Sequence, residues 1–334
     1  MYIRRNIRLR IIFNLAWRFL LPYMIYCAII ILIHIYVEHY HVKIYIPFMP
    51  ISLIGIAVSF YLGFKNNQSY ERLWEARKIW GQIVNASRTW GNQVMSLVID
   101  PLSNEKYQAS STDQRELIRR HLAWINSLRV VLRSQSRFGP HHTKSFAPQL
   151  IVGEESQQSV TSNFLGEEQL AAINYDANVP VQLVRLQGEH LKHLFHNRQL
   201  TDFQQMQMMS TLDQLYESQG KCERIKTTPF PRQYAFYCQI FTWIFVLLLP
   251  FGLISQFESI KHQFVWLTIP FSGLIAWIFM TMEMVGDRSE DPFESFIHDV
   301  PMTSLCRDVE VDLLQMLGDK ELPQLIDAID DVLM

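Results

Sequence analysis

Long apolar runs lie towards both ends of the chain, and a charged segment separates them. A helix needs about 20 residues to cross a bilayer, and four runs are long enough: 19–37, 44–64, 234–257 and 264–282. None of them contains Asp, Glu, Lys or Arg, and His34 is the one residue of the first run that ionises near neutral pH. Buried helices of soluble proteins rarely reach this length without a charge. The pattern therefore predicts an all-α membrane protein with four transmembrane helices.

Positive residues predict the orientation of these helices. Five arginines lie between residues 4 and 18, and Lys65, Arg72, Arg77 and Lys78 follow the second run. The two short loops at the opposite ends of the runs carry one lysine each. Because cytoplasmic loops are enriched in Lys and Arg, we expect a multi-pass protein of the cell membrane with both termini in the cytoplasm. The first run is expected to be retained as a helix, since it is too long for the apolar part of a signal peptide.

The charged middle segment has the periodicity of helices. Apolar residues recur at helical spacing over 70–99, which predicts an amphipathic helix that continues from the second run. Two more helices are predicted over 111–133 and 201–225, the latter with Thr201 or Asp202 as its N-cap. The predicted parts are therefore a cytosolic N-terminal segment (1–18), two transmembrane helices (19–64), a cytosolic helical domain (65–233), two more transmembrane helices (234–285) and a cytosolic C-terminal segment (286–334).

Composition and motifs exclude several functions. The chain has 334 residues and a net charge of −2, so no basic surplus indicates nucleic-acid binding. The four cysteines form no CxxC pair, which favours reduced thiols. No nucleotide-binding or hydrolase motif is present, and we predict neither an enzyme nor a cofactor.

Three groups of side chains are candidate metal ligands, and none predicts a metal site. Histidines recur three residues apart at His190, His193 and His196, but a helix turns them away from one another, which favours a solvated polar face. The second group is a pair of histidines, His39 and His41, which flank Tyr40 in a short loop. The third group is acidic, and its spacing does not match a calcium-binding loop; it comprises Asp287, Glu290, Asp291, Glu294 and Asp299.

The second apolar run carries two kinds of stripe. Ile56, Phe60 and Phe64 recur every four residues and share one helix face. Small residues with the same spacing lie beside them, as Gly55, Ser59 and Gly63, and such residues let helices approach closely in lipid. Both stripes are compatible with ordinary packing inside one chain. They are also compatible with a ring of identical helices whose bulky residues face a pore, since apolar constrictions can gate by dewetting. Lys65 would then place a positive charge at the inner mouth.

Three distant segments carry a family resemblance. They are "FYLGFKNNQSYERLWEARKIWGQIVNASR", "GKCERI" with "TPFP", and "EDPFESFIHDVPMTSLCRDVEVDLLQML". In sequence and order they resemble the bestrophin family in its bacterial branch, and with the four runs the resemblance covers nearly the whole chain. It implies a homopentamer around one central pore that passes small monovalent ions across the bacterial inner membrane. Its partners would be the lipid bilayer, further copies of the chain and the permeating ions.

The same resemblance implies two constrictions. It places an apolar neck at Ile56, Phe60 and Phe64. It places a cytosolic aperture at Met206, with Met208 and Met209 as neighbouring alternatives.

Two departures from the family pattern affect the expected function. After "DPFE" the acids that hold calcium in animal members are reduced to Asp299, so calcium gating is not expected. Phe60 is the second departure, because bacterial relatives tend to have an aliphatic residue there and the chloride-conducting animal members have Phe.

Phe60 and Lys65 favour an anion channel selective for chloride. The edge of an aromatic ring is positive and its face is negative, so rings with their edges towards a pore favour anions. The alternatives are a monovalent cation (sodium) channel, as known in the bacterial branch, and a non-conducting membrane scaffold or sensor.

Overall fold

The computed structural model describes residues 1–4, 9–40, 45–98, 112–134 and 155–334. Within these residues every regular element is a helix, accompanied by two isolated β-bridges, Tyr2–Val332 and Ile329–Val332. The α-helices are α1 (Leu9–Glu38), α2 (Phe48–Leu97), α3 (Thr112–Arg133), α4 (Gln157–Ser162), α5 (Glu167–Ala171), α6 (Val179–His196), α7 (Asp202–Thr227), α8 (Arg232–Ile260), α9 (Thr268–Ser289) and α10 (Met302–Met316). The predicted all-α class is confirmed.

Four of the described helical segments are long and apolar enough to cross a membrane, which supports the predicted multi-pass protein. They are Ala16–Glu38, Phe48–Leu97, Arg232–Ile260 and His262–Ser289. The last begins as a 3-10 helix, His262–Leu267, before α9 continues it. The prediction that the second apolar run continues into an amphipathic helix is also confirmed, because α2 is a single helix of 50 residues.

The chain divides into two compact units. One consists of Arg4–Arg72 and Pro229–Glu290, and the other of Met1–Ile3, Leu73–Thr228 and Asp291–Met334. We call them the membrane unit and the helical unit, because the first contains the apolar parts of α1, α2, α8 and α9.

Close helix contacts hold the membrane unit together. α9 packs against both α1 and α8, and the core contains Cys27, Leu62, Val246 and Ala276. Tyr23 and Tyr26 of α1 each donate a hydrogen bond of 2.8 Å to a backbone carbonyl of α8. Such bonds satisfy polar groups that lipid cannot, and they fix α1 beside α8.

The helical unit is built around α3, which is buried over most of its length. α6, α7 and α10 pack around it, and the tryptophans Trp80, Trp90 and Trp124 lie fully buried in the core. α7 begins with a capping box, in which the Thr201 hydroxyl accepts from the Gln204 backbone and the Gln204 side chain accepts from the Thr201 backbone. The N-cap is therefore Thr201 rather than Asp202. All four cysteines of the chain are free and buried.

Candidate functional site

The membrane part of α2 has one buried face and one exposed apolar face. The buried face comprises Ile51, Gly55, Val58, Leu62 and Lys65. On the exposed face, Ile56 is 56%, Phe60 is 65% and Phe64 is 61% accessible. The three predicted neck residues therefore share a surface that this chain leaves uncovered. In a membrane protein such a surface meets lipid, another chain or a pore.

The exposed stripe is longer than the three residues taken from the sequence. Leu53 and Met49 are also exposed, and they continue the stripe one and two turns towards the start of α2. Their spacing of four residues from one another, with Leu53 seven residues before Phe60, was visible in the sequence. The family resemblance drew attention only to the three residues nearest Lys65.

The small residues beside the stripe have two different surroundings. A Cβ atom on Gly55 would lie 2.7 Å from the Phe245 ring of α8, so this glycine allows a close contact within the chain. Gly63 has nothing within 4 Å of the same position, and Ser59 is exposed and donates its hydroxyl to the Gly55 carbonyl. The small residues therefore differ in role. Gly55 allows packing within this chain, while Ser59 and Gly63 remain exposed.

Lys65, the predicted inner-mouth charge, is paired with two acids of α9. Its side chain is fully buried in the membrane unit, and its ammonium group lies 3.0 Å from a carboxylate oxygen of Glu283 and 3.0 Å from one of Asp287. Both acids belong to α9, four residues apart on the same helix face. A lysine charge opposed by two carboxylates contributes no net positive field to a pore. We call Lys65, Glu283 and Asp287 the charge triad.

Sequence reasoning missed the acidic members of the triad. Glu283 directly follows the fourth apolar run, and Asp287 belongs to an acidic segment whose spacing suggests only a helix-ending turn. The pairing depends on α2 and α9 packing side by side. One sign of that packing is Gly286, where a Cβ atom would clash with the Asn66 side-chain oxygen.

The candidate aperture residue lies on an exposed face of α7. Met206 is 70% accessible, whereas Met208 is fully buried in the core of the helical unit. Met209 is partly exposed, and its side chain packs beside Gly188 of α6. Of the three methionines, Met206 therefore presents the largest free surface. Phe203, one turn earlier, is more exposed still; its three-residue spacing from Met206 could have identified it in the sequence.

The three α6 histidines have different surroundings. His190 is largely buried, with Nε2 3.1 Å from an Asp113 oxygen and Nδ1 3.1 Å from Arg120. His193 and His196 are exposed. The predicted solvated face is therefore correct for two of them, while His190 belongs to a polar contact with α3. His39 is exposed, and His41 lies outside the described residues.

The acids of the C-terminal segment have individual partners. Glu294 lies 3.0 Å from the Lys226 ammonium group in the helical unit. In the membrane unit, a Glu290 oxygen lies 3.8 Å from Arg232. Asp299 is buried and accepts a hydrogen bond from the Phe296 backbone. Burial raises the pKa of Asp299 to about 8, and a carboxyl that is protonated at neutral pH is a poor calcium ligand.

Comparison with known proteins identifies the family. The family model for the Bacterial/Fungal Bestrophin protein matches residues 2–315. The chain belongs to this bestrophin family. The resemblance noted in the sequence is thereby confirmed.

Other bestrophin-like proteins support the assignment. The chain is 28% identical to the voltage-dependent anion channel-forming protein YneE of Escherichia coli (strain K12), over 93% of this chain and 89% of that protein. It is 29% identical to the voltage-dependent anion channel-forming protein RSc3414 of Ralstonia nicotianae, over 92% of each. A crystal structure of a bacterial bestrophin homolog from Klebsiella pneumoniae matches this bestrophin with a TM-score of 0.74 and 26% identity, covering 90% of this chain and 98% of that one. The Escherichia coli and Ralstonia relatives are named as channel-forming proteins.

Proposed function

We propose that this bestrophin is a homopentameric, anion-selective channel whose neck is lined by Ile56, Phe60 and Phe64 of α2. The observation that supports it most directly is the stripe on α2, whose bulky apolar side chains are more than half exposed opposite a well-packed face. A symmetric ring of such helices would enclose a narrow apolar passage, which is a geometry that can gate ions by dewetting.

The proposed selectivity depends on the phenylalanines rather than on Lys65. The charge triad carries one positive and two negative groups, so it offers no positive ring. Two phenylalanine layers in each chain would present ring edges to the passing ion, and these edges attract anions. The names of the relatives, which describe voltage-dependent anion channels, support chloride or a similar small anion.

The decisive experiment is a reversal potential measured on purified protein in planar bilayers with asymmetric NaCl. An anion channel should reverse near the chloride equilibrium potential. Reversal near the sodium equilibrium potential would favour the alternative, a monovalent cation channel. Absence of current at all voltages and salts would favour the non-conducting scaffold or sensor. Native mass spectrometry of the same sample should show five chains, and a largest species of two or three chains would contradict the pentamer.

The cytosolic aperture is a separate proposal with its own prediction. Met206 is expected to narrow the pathway, so Met206→Ala should raise single-channel conductance or change the permeability ratio among anions of different size. Met208→Ala is the control for loss of a methionine away from the pathway. It opens a cavity in the buried core and should lower stability by about 2–5 kcal/mol without changing ion selectivity. Unchanged conductance and permeability in Met206→Ala would remove this residue from the pathway.

A further inference from the structure

The ends of α1 and α8 bring together a cluster of histidines and glutamates in the membrane unit. His34 and Glu38 are four residues apart at the end of α1, and Glu258 lies in the last turn of α8. One nitrogen or oxygen from each of these three side chains lies within 4.8 Å of the others. His262 follows in the 3-10 helix, and its Nδ1 is 3.6 Å from a Glu38 oxygen. We call these four residues the outer cluster, from the predicted orientation of the helices.

His34 is the unusual member of the outer cluster. Its side chain is fully buried, and neither ring nitrogen has a hydrogen-bond partner among the described residues. A carboxylate oxygen of Glu258 is 3.5 Å from Nε2 but lacks the geometry of a hydrogen bond. A buried imidazole whose nitrogens have no protein partner is free to bind a metal ion. An ionisable residue in a membrane helix likewise indicates a functional site.

The geometry points to a divalent transition-metal site, and we propose that His34, Glu38 and Glu258 bind Zn²⁺, with His262 as the fourth ligand. Zinc takes four nitrogen, sulfur or oxygen ligands at about 2.0–2.2 Å in a tetrahedron, which separates its ligand atoms by roughly 3.4 Å. The His34–Glu258 and Glu38–His262 separations of 3.5 and 3.6 Å are close to that value. Two imidazoles with two carboxylates suit zinc better than calcium or magnesium, which take oxygen ligands.

The surroundings of the cluster are suited to a stable site with an entrance. Four buried apolar residues beside it pack together and hold α1 and α8 against each other: Ile30, Ile31, Ile254 and Val265. Exposure rises across the cluster from His34, which is buried, through Glu258 and Glu38 to His262, which is more than half exposed. A metal ion could therefore enter past His262 and be held by His34. Bound there, it would join the end of α1 to the end of α8.

The test is zinc binding by the purified full-length protein in detergent, prepared without a polyhistidine tag. Titration against a competing zinc dye should show one zinc per chain. His34→Gln and Glu38→Gln should each weaken zinc binding by at least about tenfold. His39→Ala should bind zinc like the wild type, since this histidine is exposed and lies one residue beyond the end of α1. Cobalt in place of zinc should give the visible absorption of a tetrahedral site in the wild type and lose it in His34→Gln.

Several results would overturn the zinc site. One is the absence of bound zinc at one equivalent. Another is wild-type zinc affinity in both His34→Gln and Glu38→Gln. A third is a loss of zinc affinity in His39→Ala equal to that in the cluster variants. Should His34→Gln fail to fold, Glu38→Gln decides the question, because its side chain is partly exposed. If zinc does not bind, the outer cluster is only a polar contact between the helix ends. Conduction is not needed for this measurement, so its outcome is independent of the proposed channel function.

Discussion

Replacing Phe60 with isoleucine is expected to move the reversal potential in a NaCl gradient towards that of sodium. The aromatic ring has a positive edge that attracts an anion, and isoleucine has no such edge. If each ring contributes a few tenths of a kcal/mol, five rings together change the anion-to-cation permeability ratio by roughly tenfold, since about 1.4 kcal/mol corresponds to a factor of ten. Single-channel recording in asymmetric NaCl measures this ratio directly.

The matched control is Phe271→Ile. Phe271 is a half-exposed phenylalanine of α9, and its ring lies 5.5 Å from that of Phe257. The same chemical change away from α2 should leave the reversal potential where it was. If Phe60→Ile also leaves it unchanged, the middle of the stripe does not determine charge selectivity. If both variants move it equally, the effect is not specific to the proposed neck.

Breaking the charge triad is expected to have the largest effect on stability. Lys65→Met removes the buried ammonium group and leaves the buried Glu283 carboxylate without its lysine. Removing one partner of a buried ion pair costs about 3–5 kcal/mol, because the remaining charge has lost its water and its partner. We therefore expect a large fall in the melting temperature of the purified protein, or too little folded protein to purify.

Two further variants separate this effect from a general loss of charge. Arg88→Met breaks an ion pair with Asp312 in which Arg88 is half exposed, and such pairs are worth less than about 1 kcal/mol. Combining Lys65→Met with Glu283→Gln and Asp287→Asn removes both carboxylates and should recover part of the lost stability. A Lys65→Met protein that melts like the wild type would mean that the triad contributes nothing to stability.

The triad would also influence the function of a channel with this fold. It joins α2, which carries the proposed neck, to α9, which packs against α1 and α8. A rigid contact at this point would fix the rotation of α2 and thereby the direction of Phe64, the neighbour of Lys65. We therefore expect Lys65 to hold the membrane unit together rather than to determine ion selectivity.

Several features were predictable from the sequence because they depend on local pattern. Four apolar runs without charge predicted four membrane-crossing helices, since a charged group is costly in lipid wherever the helix packs. The four-residue spacing of Ile56, Phe60 and Phe64 placed them on one face of α2, since that follows from helix geometry alone. Long segments of distinctive sequence also identified the family before any comparison of structures.

The remaining features depended on which helices pack together. The sequence predicted that Lys65 lies at the end of an apolar run, but two acids more than 200 positions away neutralise it. His34 was visible as the one residue of its run that ionises near neutral pH, yet its neighbour Glu258 follows from the contact between α1 and α8. Helical periodicity determines which residues share a face, and only tertiary packing determines what that face meets.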